Sequence, residues 1–404
     1  MKKFVIFLIL SVFILSACEG RPVPDDSASA SDNSETASVT DSITEPDFKP
    51  DSDTDKPDLS KYDNCFTEKD LLGYYDSEDA TYINFKDSGV EIDGLGASVE
   101  RNGAEVFIFD AGVYVLNGSF FGQVRVDSDS LSKIQIVLNG VNIYCERNSA
   151  IYIQEADKVF ITSLKGTENT LSDGKYYAVY NNDTGCDATV FSRSDLVING
   201  SGVLNIKAAY KHGIVSKDDL KICACSLEVS SPSSAIVGKD SVRIANASLK
   251  LSAGSDGIKS NNESNSEKGY VCIYDSDILI RSGKDALQSV SSLKLAGGSY
   301  RLFAGDTVFN FAASSAVVKG AEVISTGEFI SPYPIDSSSP YISLSLPSNM
   351  KTDDKISLFF EGTELFNESA DIGTGKLYYT SPRLEKGKSC SVVIGSKSYS
   401  VEAE

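Results

Sequence analysis
A recurrence of about 22 residues constrains this chain more than any other feature of its sequence. Leu204-Asn205-Ile206, Leu227-Glu228-Val229, Leu249-Lys250-Leu251, Ile278-Leu279-Ile280 and Tyr300-Arg301-Leu302 follow one another at spacings of 23, 22, 29 and 22. A second series, Leu220-Lys221-Ile222, Val242-Arg243-Ile244 and Leu293-Lys294-Leu295, keeps step at 22 and then 51, which is 22 plus 29. A third, His212-Gly213-Ile214, Ser234-Ala235-Ile236, Asp256-Gly257-Ile258, Asp285-Ala286-Leu287 and Thr307-Val308-Phe309, repeats the rhythm 22, 22, 29, 22. The single long step coincides with a polar insertion, Asn261 to Gly269, which reads as a loop between two strands.

Three short alternating strands locked in phase cannot bury an inner face within one repeat, so successive repeats must stack. The expected fold is all-β, a parallel β-helix solenoid with three short strands per ~22-residue coil. Hairpin sandwiches fit poorly, because no Asn-Gly or Asp-Gly dipeptide sits between complementary strands. Upstream, Ala104 to Asp110, Val113 to Leu116, Gln123 to Val126, Ile134 to Leu138, Ala150 to Ile153 and Val159 to Thr162 continue the strand pattern less regularly. The expected divisions are a signal at 1–17, a linker at 18–60, a cap over the first coil at 61–103, the β-helix at 104–335 and a small antiparallel β appendage at 336–404. The appendage is marked by longer alternating strands such as Ile342 to Leu346, Lys355 to Phe360 and Ser391 to Ile394, placed to shield the last coil's edge.

The N-terminus supplies an address. Lys2 and Lys3 precede an apolar run from Phe4 to Leu15, too short to span a bilayer comfortably and arranged as an export signal. Leu15-Ser16-Ala17-Cys18 resembles a lipobox, which implies lipid modification of Cys18 and a chain anchored to, rather than spanning, a membrane at the cell surface. The alternative is an ordinary secretory signal with an incidental cysteine. Residues 19–60 hold twelve acids against three bases and little that could build a core, so they are expected to be disordered. That segment carries −9 of the total −20, which leaves the acidic balance saying little about the folded part.

Seven cysteines follow Cys18, an odd number with no CxxC pair, and Cys223 and Cys225 alternate on a strand as small buried hydrophobes do. With His212 the only histidine, a zinc site or a histidine triad is not expected.

Several runs carry a family resemblance: Gly112-Val113-Tyr114-Val115-Leu116-Asn117-Gly118, Val137-Leu138-Asn139-Gly140-Val141, Lys165-Gly166-Thr167-Glu168-Asn169-Thr170-Leu171, Leu196-Val197-Ile198-Asn199-Gly200, Ser216-Lys217-Asp218-Asp219-Leu220, Gly238-Lys239-Asp240-Ser241-Val242 and Asp256-Gly257-Ile258-Lys259-Ser260. Over Phe66 to Val401 the chain resembles bacterial carbohydrate-binding-domain proteins. The resemblance implies a right-handed parallel β-helix like that of pectate lyases, calcium along the coils, and affinity for cellulose or acidic plant-wall polysaccharide without lyase activity. Where the family shows Asp-Asp-Gly-Ile at coil corners, this chain has Lys211-His212-Gly213-Ile214, Ser233-Ser234-Ala235-Ile236 and Lys284-Asp285-Ala286-Leu287; only Ser255-Asp256-Gly257-Ile258 comes close.

Stacking turns each repeat position into a ladder. Asp256, Asp285 and, one place offset, Asp306 would line one corner, and Asp218 and Asp240 the next turn beside Lys217 and Lys239. A ladder of acids favours a bound cation, so calcium is expected at the Asp256 and Asp285 corner, with Asn261 or Glu263 from the inserted loop as added ligands. The alternative is that these acids serve turns. Lys221, Arg243 and Lys294 share one outward slot, and Lys250 and Arg301 another, where they could hold the carboxylates of a uronate polymer. Equally, such side chains could simply solubilise the strand faces. With no Trp present, Tyr144, Tyr152, Tyr176, Tyr177 and Tyr180 are the available sugar platforms, and Tyr152 is expected to be exposed.

The expected function is non-catalytic binding of acidic or cellulosic polysaccharide by a monomeric, lipid-anchored protein, with calcium assisting and no nucleic-acid partner. The runner-up is a calcium-dependent polysaccharide lyase using Arg243 or Arg281 as base. A third possibility is a structural or adhesive surface solenoid.

Overall fold
In the computed structural model, residues 56–178, 185–311, 316–328, 335–337, 339–348, 350, 354–369 and 375–404 are described. The signal, Cys18, nearly all of the linker and Tyr180 lie outside them.

The described chain is all-β, with three sheets and scarcely any helix. Strands that recur once per repeat pair in parallel with their equivalents on either side. One ladder runs through Lys158–Ser163, Asp195–Asn199, Asp219–Cys223, Ser241–Ala245, Tyr270–Tyr274 and Leu293–Ala296. A second runs through Glu168–Asp173, Val203–Lys207, Ser226–Ser231, Ser248–Ala253, Asp277–Ser282 and Ser299–Thr307. These two count as one 21-stranded sheet because the long strand Lys133–Cys145 pairs with both. The third ladder forms the ten-stranded sheet and includes Ile151–Glu155, Ala188–Ser192, His212–Ser216, Ile236–Gly238, Ile258–Ser260, Leu287–Ser289 and Phe309–Phe311.

The register is the one the sequence rhythm demands: Leu204, Leu227, Leu249, Ile278 and Tyr300 are successive partners, and so are Leu220, Val242, Val271 and Leu293. All nine belong to a single buried apolar core. The insertion leaves this register intact, since Ser241–Ala245 pairs directly with Tyr270–Tyr274 beyond it.

Glycine permits one close-packed corner. Gly254, Gly283 and Gly305 stack so that a Cβ on each would fall well inside contact distance of the carbonyl oxygen of Pro232, Gly254 and Gly283 respectively. Backbone cannot yield as a side-chain tip can. Gly283→Val is expected to lower stability by about 3 kcal/mol, read as a fall in urea midpoint at unchanged slope.

Both ends of the stack are antiparallel, so the sheets are mixed. Thr81–Lys86 pairs with Gly89–Asp93, and Ala97–Glu100 with Glu105–Ile108, before the regular repeats. At the other end Lys376–Thr380 pairs antiparallel with Glu322–Glu328 and with Tyr341–Ser345, while Lys355–Phe360, Thr363–Ser369, Ser389–Ile394 and Lys397–Glu402 form a separate four-stranded sheet that shares a second core with those end strands.

The expectation for residues 61–103 needs correcting. The hairpins from Thr81 do abut the first repeats, but residues 58–72 lie along the outer flank of the first ladder. Tyr62, Phe66 and Leu71 pack with Cys223, Ala245, Cys272 and Tyr274. Tyr62 and Phe66 meet Tyr274 edge-on, with ring centroids 5.8 and 6.3 Å apart. We call this segment the strap.

Candidate functional site
The strap decides the fate of the first basic ladder. Lys221, Arg243, Cys272 and Lys294 occupy one outward row in register, as alternation requires. Lys221 Nζ lies 2.6 Å from Asp70 Oδ2, and the Lys221 and Asp70 side chains are 9% and 0% exposed. Asp70 sits in the short helix Glu68–Leu72, whose capping box has Thr67 and Asp70 exchanging hydrogen bonds. Arg243 pairs with Asp219 and donates to the Cys65 carbonyl, while Lys294 pairs with Asp63. These three cations were expected to face solvent and receive a glycan; they hold the strap and a neighbouring strand instead. Sequence could not show this, because their partners Asp70 and Asp63 lie 151 and 231 residues away.

On the other flank Lys250 is exposed and pairs with Glu228 at 2.9 Å. Arg301 bridges Asp277 and Glu368, the latter from the C-terminal sheet. Lys250 and Arg301 share their row as expected, with Leu279 between them. Tyr152 is 6% exposed and packs with Phe191, Val215 and Val237 in a satellite cluster, so the expectation of an exposed platform fails. Its outward neighbours on both sides along the ten-stranded sheet are large enough to enclose it. Tyr176 is the tyrosine that does stand in solvent, at 80% exposure.

A cleft of about 370 Å³ opens on the outer face of the ten-stranded sheet. Its parts come from stacked positions of neighbouring repeats. Val215 and Val237 form an apolar floor continued by Lys259, the next residue in register. His212, Ser234 and Asp256 line one corner, and Lys217, Lys239 and Asn261 the turn that leaves each strand. Ser233, Ser255 and Lys284 approach from the preceding turn, chained by backbone hydrogen bonds. Four lysines thus surround a cleft whose acids are Asp187 and Asp256. Lys217 lies 3.8 Å from Asp187, and Lys259 lies 3.2 Å from Asp256. Lys239 and Lys284 are exposed and have no ion-pair partner among the described residues. His212 accepts a hydrogen bond from the Ser234 amide at 3.2 Å, and burial holds it below the usual histidine range despite Asp187, which keeps the ring neutral at pH 7.

The predicted acidic corner is real as a stack. Asp256 and Asp285 are successive, joined through the Gly257 amide and the Asp285 carbonyl. Their carboxylates are already engaged: Asp256 by Lys259 and Ser234, Asp285 by the Thr307 amide at 3.1 Å and by Asn310 at 2.7 Å. Burial raises the Asp285 carboxyl above its ordinary range. Asn261 joins Asp256 in the cleft, whereas Glu263 and Asp306 are exposed.

Asp218 and Asp240 are also adjacent, and burial together with a hydrogen bond shared with Asp240 pushes Asp218 up to about 6. Against burial, Lys268 and Asn262 hold Asp240 low. Among the described residues no group of three or more His, Cys, Asp or Glu side chains is arranged to hold a metal ion. The acids supply at most part of the six to eight oxygens calcium requires, and protein donors occupy them.

In the sequence Lys217 and Lys239 stand beside Asp218 and Asp240, and Lys284 stands where a corner acid was expected. Sequence separation does not show that the turns before and after these short strands flank one groove.

An all-β protein of parallel-paired repeats with a cation-rich cleft on one sheet face defines the class. The chain belongs to the carbohydrate-binding domain-containing protein family, whose model matches residues 102–333. It is 37% identical over 226 residues to a carbohydrate-binding domain-containing protein of Acetivibrio thermocellus, covering 55% of this chain and 78% of that one. Among solved structures it resembles a polysaccharide lyase-like protein from C. thermocellum, in its gadolinium derivative. The TM-score is 0.51 and the identity 30%, over 62% of this chain and 96% of the other.

Proposed function
We propose that this protein is a non-catalytic receptor for acidic polysaccharide, and that the cleft over Val215 and Val237 is where the polymer lies. The carrying observation is the pair of exposed lysines, Lys239 and Lys284, which line the cleft and have no ion-pair partner among the described residues. A sugar carboxylate entering the cleft can meet these ammonium groups as point charges. Cellulose offers no such group, so uronate polymers are the favoured ligand. In this reading the stacked repeats wind as a right-handed parallel β-helix, the protein acts as a monomer, and a lipid on Cys18 tethers it to the cell surface.

Calcium belongs to the proposal only as an accessory, where polymer carboxylates would add oxygens to Asp256 and Asn261. The lyase alternative is favoured by the polysaccharide lyase-like neighbour. Its proposed bases are poorly placed. Arg243 is 15% exposed, and although burial opposes it, pairing with Asp219 raises its pKa and keeps it protonated, with no lone pair to accept a proton. Arg281 lies over the Phe303 ring at 5.4 Å.

Affinity electrophoresis against polygalacturonate, alginate, a neutral glucan and a cellulose derivative, with and without chelator, tests the reading. Retardation by the uronate polymers and by neither neutral polymer is expected, weakening with salt as exposed charges are screened. Retardation by the glucans alone, or silence throughout, would overturn it, and silence would favour the adhesive solenoid. Release of unsaturated uronides would establish the lyase.

A further inference from the structure
Cys65 belongs to the strap, and Cys272 to the strand of the first ladder that the strap packs against. Cys272 stands in the outward row of Lys221, Arg243 and Lys294, the row that receives the strap's acids, and is 5% exposed. Cys65 is half-buried against the same cluster as Cys272, its thiol donating to the Asp63 carbonyl at 3.8 Å, and the two thiols lie near enough for each to shift the other's ionisation. Position 65 is fixed from both sides. Arg243 reaches its carbonyl at 3.4 Å, and Asp63 accepts the Tyr274 hydroxyl at 2.8 Å.

We infer that Cys65 and Cys272 form a reversible disulfide that staples the strap to the flank of the stacked repeats. The hydrogen bond from Cys272 and the charge of Arg243 lower the Cys65 thiol to about 6, whereas Cys272, buried and sharing its proton with Cys65, is raised. Cys65 is therefore the attacking thiolate. It displaces one thiolate from a small-molecule disulfide, such as oxidised glutathione, and forms a mixed disulfide. Cys272 then loses its proton to solvent and attacks the Cys65 sulfur, releasing the second thiolate. The protein thiols give up two electrons and two protons, and the small disulfide becomes two thiols. All seven described cysteines are free thiols, Cys65 and Cys272 included, and Cys145, Cys223, Cys225 and Cys390 are buried. The staple would close a loop from residue 65 to residue 272, so that its effect falls on release of the strap.

The test uses the full chain with oxidised glutathione, followed by alkylation in denaturant and peptide mass spectrometry. The expected result is a dithiothreitol-reversible peptide joining Cys65 to Cys272, with proteolysis at Lys61 and Lys69 slowed about tenfold or more. Cys65→Ser and Cys272→Ser should each lose that protection, and Cys145→Ser should keep it. Glutathione retained on Cys65 with Cys272 still alkylated would overturn the inference. So would a crosslink that leaves cleavage of the wild-type strap unchanged. Both readouts on wild type stand even if a variant fails to fold.

Discussion

Asp70→Asn is expected to free the strap. The substitution keeps the shape of the side chain and an oxygen for the Thr67 amide, but leaves the ammonium of Lys221 buried without a countercharge. Removing one partner of a buried pair costs about 3–5 kcal/mol, because the remaining charge has lost water and gained nothing. The strap can escape that cost by peeling away and letting Lys221 hydrate, so the loss should appear as local opening of residues 59–72, ahead of global unfolding. Amide hydrogen exchange there, compared with exchange in Ser241–Ala245 beneath it, measures the difference. Lys221→Met in the Asp70→Asn background should restore much of the protection. Unchanged exchange in the single variant would mean that Tyr62, Phe66 and Leu71 hold the strap unaided.

The same pair gives a pH dependence. Burial alone would raise the Asp70 carboxyl, but Lys221 and the Thr67 amide more than offset it, and the net shift is downward. A carboxyl lowered on folding stabilises above its unfolded value, about 3.9, and that contribution is lost as pH falls through the lower folded value. The strap should therefore stay protected at neutral pH and loosen only at strongly acid pH. Asp70→Asn should remove the Asp70 part of that acid step and leave the smaller part due to Asp63, which Lys294 and Tyr274 also hold low.

The double charge reversal Lys239→Glu, Lys284→Glu is expected to weaken uronate binding about 30- to 100-fold. A hydrogen bond to a charged group contributes about 1.5–3 kcal/mol when desolvated, which must be discounted at exposed sites. Reversal adds repulsion to each lost contact, and ten-fold corresponds to about 1.4 kcal/mol. The salt dependence of binding should flatten with the affinity. Lys250→Glu, on the opposite flank and already paired with Glu228, serves as the control and should leave retardation unchanged. Equal losses from both would mean that net charge, rather than this cleft, governs retention.

The stacking order was legible because repeats that pair in parallel write their contacts into the chain at near-fixed separation. Leu204, Leu227 and Leu249 are 22 or 23 apart in sequence and direct partners in the sheet, so counting residues amounts to reading register. The strands upstream, from Glu105–Ile108 to Lys158–Ser163, and the antiparallel C-terminal strands were legible from alternation for the same local reason. The acidic corner was placed correctly as a stack, and its partners were not. Lys259 is three residues from Asp256, yet only the curvature of the turn aims one at the other.

Period and alternation thus determined which residues face inward, which repeat lies beside which, and which side chains share an outward row. Tertiary structure decided what each outward row meets. The row of Lys221, Arg243 and Lys294 is covered because a segment more than a hundred residues upstream folds back over it, and the row of Tyr152 and Phe191 is closed by its own bulk. No described segment folds over the groove of Lys239 and Lys284, which is lined by Val215, Val237, Ser234, Ser255 and Lys259. Short-range periodicity carries no information about long-range cover, and cover separates a basic ladder that binds the protein's own carboxylates from one available to a polymer.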